Sequence, residues 1–360
     1  MTPDTDGQFH LGPRQIGRGL PCFVTFEAGA THDGLESAVR LTRLAAEANA
    51  DAVKFQIVHP DRLVADRSQP FTYEVLVDRE SGRTESVTEP LYDILCRRTL
   101  SPEEWRELKR AADDVNLAFF ATATAPEDID LLVELGCHSV KIASGDVNHW
   151  PLIRQAARTG MCLQLDTGNA SLGEIEAAVD VIRAEGNENI IIHQCPSGYP
   201  ARLESINLNI LHTLKQMFPY PVAFSDHTPG HVMDVAAVAM GANMVEKTIT
   251  LDRTTRSCEH IFSLEPADMA AFVTTIREVE TALGAPRRIL HAEEEARRVA
   301  VRRSTFLPNG GRRGDRLSEV AVEFRRPGTG ITPDAYEGLV DRTLARDVEP
   351  DHMLLPGDLE

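Results

Sequence analysis

From residue 22 to residue 283 the chain alternates short β-rich runs with amphipathic helical stretches, and the β-rich run occurs eight times. The runs at 22–27, 51–57, 117–122, 139–143, 161–166, 189–194, 221–225 and 243–248 read as strands. Helical patterns lie between them, among others at 35–49, 101–116, 172–185 and 233–241. Ser101-Pro-Glu-Glu is a helix start, with an N-cap serine, proline at the first position and a glutamate at the third. Eight strands separated by helices predict an α/β fold, a closed (β/α)8 TIM barrel whose active site lies at the C-terminal ends of the strands. A doubly wound open sheet is the alternative. Its dinucleotide-binding form lacks support, because no GxGxxG follows the first strand, and the count of eight favours the barrel.

Two stretches break the rhythm. Within 60–100, Phe71-Thr-Tyr-Glu-Val-Leu-Val, a polar turn at Ser81-Gly82-Arg83 and Glu85-Ser-Val-Thr predict a β-hairpin inserted after strand two. Long loops on this face of a barrel shape the substrate pocket; a passive insertion is the other reading. After Gly284 a charged helical linker over 285–298 leads into short β-like pieces with Gly and Pro turns. The division expected is a catalytic barrel over 1–284, the linker, and a small β-rich domain over 299–360, too small to be very stable alone.

The formal charge of −18 argues against a nucleic-acid partner, which needs concentrated Lys and Arg. A small anion remains compatible, since a few buried cations dominate one pocket. Six scattered cysteines with no CxxC pair read as reduced thiols. The polar start of the chain lacks a signal-peptide pattern and no apolar run is long enough to span a bilayer, so a soluble, cytoplasmic protein without a membrane partner is expected.

The strand ends carry groups that make little sense as packing. Glu27 closes the first apolar run, and Lys54 and Gln56 share one face of the second because side chains alternate with period two. Thr122 ends the third, and Lys141 sits inside the fourth with Ser144 and Asp146 just beyond. A buried lysine costs several kcal/mol unless an anion or carboxylate pairs with it. Two of them make an anion cradle plausible; the plainer reading pairs Lys54 with Glu27 and Lys141 with Asp146. Ser225-Asp-His-Thr and Glu246-Lys-Thr complete the ring, and His227 gains interest from Asp226 and Glu246 in its vicinity. His32 orients a loop or takes part in chemistry.

Taken together, Glu27-Ala-Gly-Ala-Thr-His-Asp-Gly, Ala52-Val-Lys-Phe-Gln, Val140-Lys-Ile-Ala-Ser-Gly-Asp, Cys195-Pro-Ser-Gly-Tyr-Pro, Phe224-Ser-Asp-His-Thr and Val245-Glu-Lys resemble the N-acetylneuraminate (sialic acid) synthase family. Arg326-Pro-Gly-Thr-Gly-Ile resembles that family's antifreeze-like (SAF) domain. The resemblance implies that phosphoenolpyruvate adds through C3 to the aldehyde of an N-acylated amino sugar, giving a 2-keto sugar acid and phosphate. It implies that Lys54, Thr122, Lys141, Ser144, Ser197 and Ser225 hold phosphoenolpyruvate, and that Gln56, Asp146, Tyr199 and Glu259 face the sugar. Glu27 and Glu246 would stabilise charge or move protons, and His227 would bind a divalent metal, manganese or magnesium, as Lewis acid. Arg326 would reach the neighbouring site in a homodimer that exchanges its small domains; the alternative is a solvated surface arginine.

Four positions depart from the family pattern. Thr248 stands where a second metal-binding histidine is usual, with His260, His193 or Cys258 as possible substitutes, or magnesium held mostly by water. Asp166 replaces a serine near the phosphate, where a carboxylate repels unless protonated or bridged. Ser257-Cys-Glu-His replaces Gly-Pro-Asp-His, and Ala30-Thr31 replaces the asparagine before His32. Three functions compete: a synthase acting on an unusual aldehyde, a lyase or hydrolase that does not use phosphoenolpyruvate and acts on an anionic sugar or nucleoside, and a non-catalytic sugar-acid binding protein.

Overall fold

In the computed structural model, which describes residues 8–360, eight parallel strands close into a barrel: β1 (Phe23–Glu27), β2 (Ala52–Gln56), β3 (Ala118–Ala123), β4 (Ser139–Ile142), β5 (Cys162–Asp166), β6 (Ile190–Gln194), β7 (Val222–Asp226) and β8 (Met244–Thr248). Each strand pairs with the next in sequence and β8 pairs with β1, so the alternation in the sequence is the topology of the sheet. Most of the strands begin one residue later than expected. Asp51 shows why: its carboxylate accepts from Val24 N and from Arg277, both at 2.8 Å, and ties the base of the barrel together from outside the ladder. The helix start at Ser101 forms as read, with Ser101 Oγ accepting from Glu104 N at 3.3 Å and Glu104 accepting from Ser101 N at 2.7 Å.

Alternation divides the strand residues into two sets. Val24, Phe26, Val53, Phe55, Val140, Leu163, Ile192 and Phe224 face the helices and form the larger core. Phe23, Ala52, Ala118, Phe120, Cys162, Ile191, Ala223 and Met244 form a second cluster inside the barrel, joined by Phe9, Leu11 and Ile16. Those three come from a small hairpin, Phe9–Leu11 with Arg14–Ile16, which closes the N-terminal end. The interior is therefore apolar below and polar above, which fixes the end at which a ligand can sit.

The inserted hairpin is Pro70–Asp78 paired with Arg83–Pro90. It is not a free-standing insertion. Tyr73, Val75 and Val87 pack with Ile94 and Cys258, and Arg79 pairs with Asp252 at 2.6 Å and Glu265 at 2.6 Å. The hairpin thus buttresses the loop that carries Glu259.

The chain parts into two units at Gly284. The second has a helix, Ala292–Val301, and a three-stranded antiparallel sheet of Glu323–Arg325, Ser304–Leu307 and His352–Met353, over a small core that includes Leu307, Leu317, Leu344 and Leu354. No helix among the described residues is long and apolar enough to cross a membrane.

One expectation is corrected by the alternation itself. Asp226 follows Ser225 in β7 and so faces outward, away from the barrel interior and from any role beside His227. It binds Lys247, its register neighbour on β8, and accepts from Thr228 N at 3.0 Å. Lys247 also lies 3.5 Å from Asp234 and donates to Thr228 O at 2.5 Å, all fully buried. Burial pushes the Asp234 pKa well up, which leaves Asp226 as the closer counter-ion of Lys247. Lys247→Met would strand that carboxylate, and a urea melt should show a loss of about 3–5 kcal/mol.

Candidate active site

At the C-terminal mouth, a cavity of about 290 Å³ is lined by inward strand residues and by the loops above them. Glu27, Lys54, Gln56, Thr122, Asp166 and Glu246 rise from five strands; Ser144, Asp146, Tyr199, His227 and Glu259 come from the loops. Closure of the barrel brings these side chains together, including Glu27 and Glu246 from the first and last strands.

Glu246 is the centre. It accepts from Lys141 at 2.6 Å and lies 3.3 Å from Lys54 Nζ, which is also paired with Glu27. Gln56 Nε2 donates to Glu27 at 3.3 Å. Lys141 is 3.1 Å from Asp166 and donates to Ser225 Oγ at 3.0 Å. Only 1% and 3% of Lys141 and Lys54 is exposed, so both ammonium groups depend on these partners. Lys141 therefore pairs with Glu246 and Asp166, not with Asp146, which lies past the strand end and faces His149 at 3.5 Å.

Beneath the charges a neutral chain of hydrogen bonds holds the floor. Gln164 Nε2 donates to Ser139 Oγ at 2.8 Å, which leaves Gln164 Oε1 to accept from His193 Nε2 at 3.0 Å. His193 Nδ1 then faces Ser225 Oγ at 3.0 Å as an acceptor. Burial, followed by the nearness of Lys141, drives the His193 pKa far down, so the ring stays neutral.

The carboxylates divide by environment. Burial opposes ionisation of Glu246, but Lys141 and Lys54 outweigh it and hold its pKa below the usual range. Burial raises Glu27, with Lys54 offsetting only part and Glu246 adding to the rise. Burial likewise raises Asp166 against the pull of Lys141. Lys54 loses to burial and gains more from Glu246 and Glu27, so it stays charged.

Residues 41–288 match the NeuB family. The N,N'-diacetyllegionaminic acid synthase of Legionella pneumophila is 33% identical over 349 residues, covering 96% of this chain and 96% of that protein. The chain belongs to the NeuB family. The N-acetylneuraminate-9-phosphate synthase of Homo sapiens is similar to this NeuB-family chain at 33% identity over 279 residues, 76% of this chain and 74% of that one. The crystal structure of the N-acetylneuraminic acid (sialic acid) synthetase of Leptospira borgpetersenii, in complex with citrate, superposes with a TM-score of 0.70 at 30% identity, over 81% of this chain and 94% of that one.

Against this NeuB-family background, four expected site residues do not line the cavity. Lys141 and Ser225 lie just under it and act on it through Glu246 and Asp166. Ser197 is exposed and donates to Asn169 at 2.8 Å. Arg326 is exposed after the strand Glu323–Arg325 of the second unit.

The donor set does not fit a transition metal. His227 lines the cavity; its Nδ1 faces Pro196 O at 3.2 Å, which leaves Nε2 as a single available imidazole donor, and its ring lies 4.6 Å from that of Tyr199. Thr248 is buried and off the cavity wall. The substitutes considered for it do not line this cavity: both nitrogens of His193 are bonded, His260 Nδ1 faces Thr250 Oγ1 at 2.7 Å on the wall of another cavity, and Cys258 accepts from Arg98 at 2.7 Å. Among the described residues no three His, Cys, Asp or Glu side chains converge as a metal cluster.

Sequence reasoning missed the Ser139–Gln164–His193 floor as a unit. The signal was present: Gln164 and Asp166 share a face of β5, and His193 pairs in register with Asp166. Thr248 stands one position beyond Lys247, whose register partner Asp226 immediately precedes His227. Thr248→His should therefore supply a second imidazole and raise Mn²⁺ affinity about tenfold or more, read as loss of the free-ion EPR signal.

Proposed function

We propose that this chain is a phosphoenolpyruvate-dependent synthase that forms a 2-keto sugar acid from the aldehyde of an N-acylated amino sugar or a related aldehyde. The observation that carries the reading is the convergence of Lys54 and Lys141 on one ionised glutamate under the cavity floor. Burial raises the pKa of Glu27 and of Asp166 while the two lysines lower that of Glu246, so Glu246 is the most firmly ionised counter-charge to both ammonium groups. A phosphate-bearing anion above the floor would be attracted by these two cations.

In the reaction, C3 of phosphoenolpyruvate bonds to the aldehyde carbon and the aldehyde oxygen takes a proton. Water then adds to C2, and cleavage of the C2–O bond releases phosphate and leaves the 2-keto group. Glu27, whose pKa burial raises, would give the proton to the forming alkoxide. Glu246, ionised throughout, offsets positive charge as it develops at C2. Lys54, Lys141 and Thr122 act on the phosphate side, with Ser144 above them and Ser225 below. Burial raises the Asp166 pKa, and in its protonated form the group would keep the donor that a serine would provide there.

Gln56, Asp146, Tyr199 and Glu259 face the sugar, and the Tyr199–His227 ring contact gives it an apolar wall. The second unit is assigned to the antifreeze-like (SAF) class. Arg326 completes the sugar side from the other copy of a domain-exchanging dimer; its exposure and its lack of an ion pair among the described residues support this. Among the described residues the donor set does not fit a transition metal. The Lys141–Asp166 pair favours a second reading, a lyase or hydrolase on an anionic sugar without phosphoenolpyruvate.

Phosphate release that requires both phosphoenolpyruvate and an aldehyde is the expected result; release with neither partner varied, or none across a broad aldehyde panel, counts against the synthase. Lys141→Met should weaken phosphoenolpyruvate binding about 10–100-fold by calorimetry. The raised Asp166 pKa sets a pH dependence: below it the group is a neutral donor, and above it a carboxylate that repels phosphate. KM for phosphoenolpyruvate should rise with pH in the wild type and stay flat in Asp166→Asn.

A further inference from the structure

A second cavity of about 240 Å³ lies beside the barrel mouth, between the loop after β1, residues 97–98 and the segment after β8. It shares no lining residue with the cavity described above. Arg98 lines it with 5% of its surface exposed. Its guanidinium is permanently charged and carries five N–H donors. Its hydrogen bond goes from Nη2 to Cys258 Sγ at 2.7 Å, and no carboxylate among the described residues pairs with it. Its neighbour Arg97 differs, being neutralised by Glu89 at 2.7 Å. Arg256, exposed at the rim, has no ion pair among the described residues.

His32 adds an independent sign. Its Nδ1 accepts from Gly34 N at 3.3 Å, so in the neutral ring Nε2 carries the proton. That Nε2–H is buried and has no acceptor. Burial, then the charge of Arg98, pushes the His32 pKa down to about 4, which keeps the ring neutral. The only acid on the lining is Asp33, which is exposed and makes no ion pair among the described residues. A buried cation lacking a counter-ion and a buried donor lacking an acceptor line one cavity.

We propose that this cavity binds a small oxyanion, a phosphate or carboxylate group, between Arg98 and Arg256 beside His32. At about 30 Å³ per water the space holds roughly eight waters, enough for a compact polyatomic anion and too little for a nucleotide. Planar guanidinium forks match such groups. The wall of the cavity includes Ser257 and His260, which bracket Cys258 and Glu259, so an anion on Arg98 competes with Cys258 next to a residue of the barrel mouth.

The test is calorimetric titration of the full-length protein with inorganic phosphate and, separately, with malonate. Wild type should show two phosphate sites. Arg98→Met should weaken one about tenfold or more and leave the one that Lys141→Met removes. Arg98→Met should also melt at or above the wild-type temperature in anion-free buffer, because a buried charge without a counter-charge is replaced by an apolar side chain. Arg256→Ala, at an exposed position, should weaken the same site with no change in melting, and it carries the test if the methionine variant misfolds. Saturation by phosphate alone assigns a phosphoryl ligand, and by malonate alone a carboxylate. A wild type with no site beyond the Lys141-dependent one, or full binding of both probes in both arginine variants, overturns the proposal. Loss of no site in Lys141→Met would instead strike at the synthase reading and leave this one standing.

Discussion

Two ammonium groups inside one barrel impose a condition that the rest of the site meets. At low dielectric neither Lys54 nor Lys141 can remain charged alone, and removing a partner from such a pair costs about 3–5 kcal/mol. Glu246 answers both at once, from the strand that closes the ring. Because its charge is already committed, Glu27 and Asp166 meet burial with weaker compensation and rise. One ionised and two protonatable carboxyl groups therefore follow from where the lysines stand, and acid, counter-charge and donor are separated by environment rather than by residue type.

Much of this was legible because a period-two pattern leaves little freedom. Lys54 with Gln56, and Lys141 in a four-residue strand, could only be inward or outward, and inward residues of a barrel meet. The inserted hairpin and the Ser101 cap followed from turn and cap chemistry that acts over a few residues. Counter-ion choice was harder. Asp146 is five residues from Lys141 and looked like its partner, whereas its partners are Asp166 on the neighbouring strand and Glu246 across the barrel. Nearness in sequence is a poor guide once a sheet closes. Asp226 is the opposite case, since alternation with Ser225 already placed it outside, against Lys247.

The interior also shows why the ligand end is rigid. Phe9, Leu11 and Ile16 fill the lower end, so no water column runs through the barrel. Above them, Ser139, Gln164, His193 and Ser225 form a chain in which each donor has a set acceptor, and this fixes the histidine tautomer. A satisfied polar layer of this kind orients Ser225 toward Asp166 at 3.2 Å and Lys141 at 3.0 Å, at little cost in desolvation. The apolar plug, the neutral layer and the charged layer are successive steps of one polarity gradient.

Asp166 and Thr248 then make sense together. An imidazole at position 248 would add a donor for a cation beside His227, and a cation there would keep nearby carboxyl groups ionised. A threonine removes that donor, and burial shifts the pKa of Asp166 and of Glu27 upward, toward the protonated form. An aspartic acid in its neutral form donates one hydrogen bond, as a serine does, but it gives up that donor when pH rises. On the proposed reading, a site of this composition gains a dependence on proton concentration that a serine at the same place would not confer, because binding an anion and keeping Asp166 protonated favour one another.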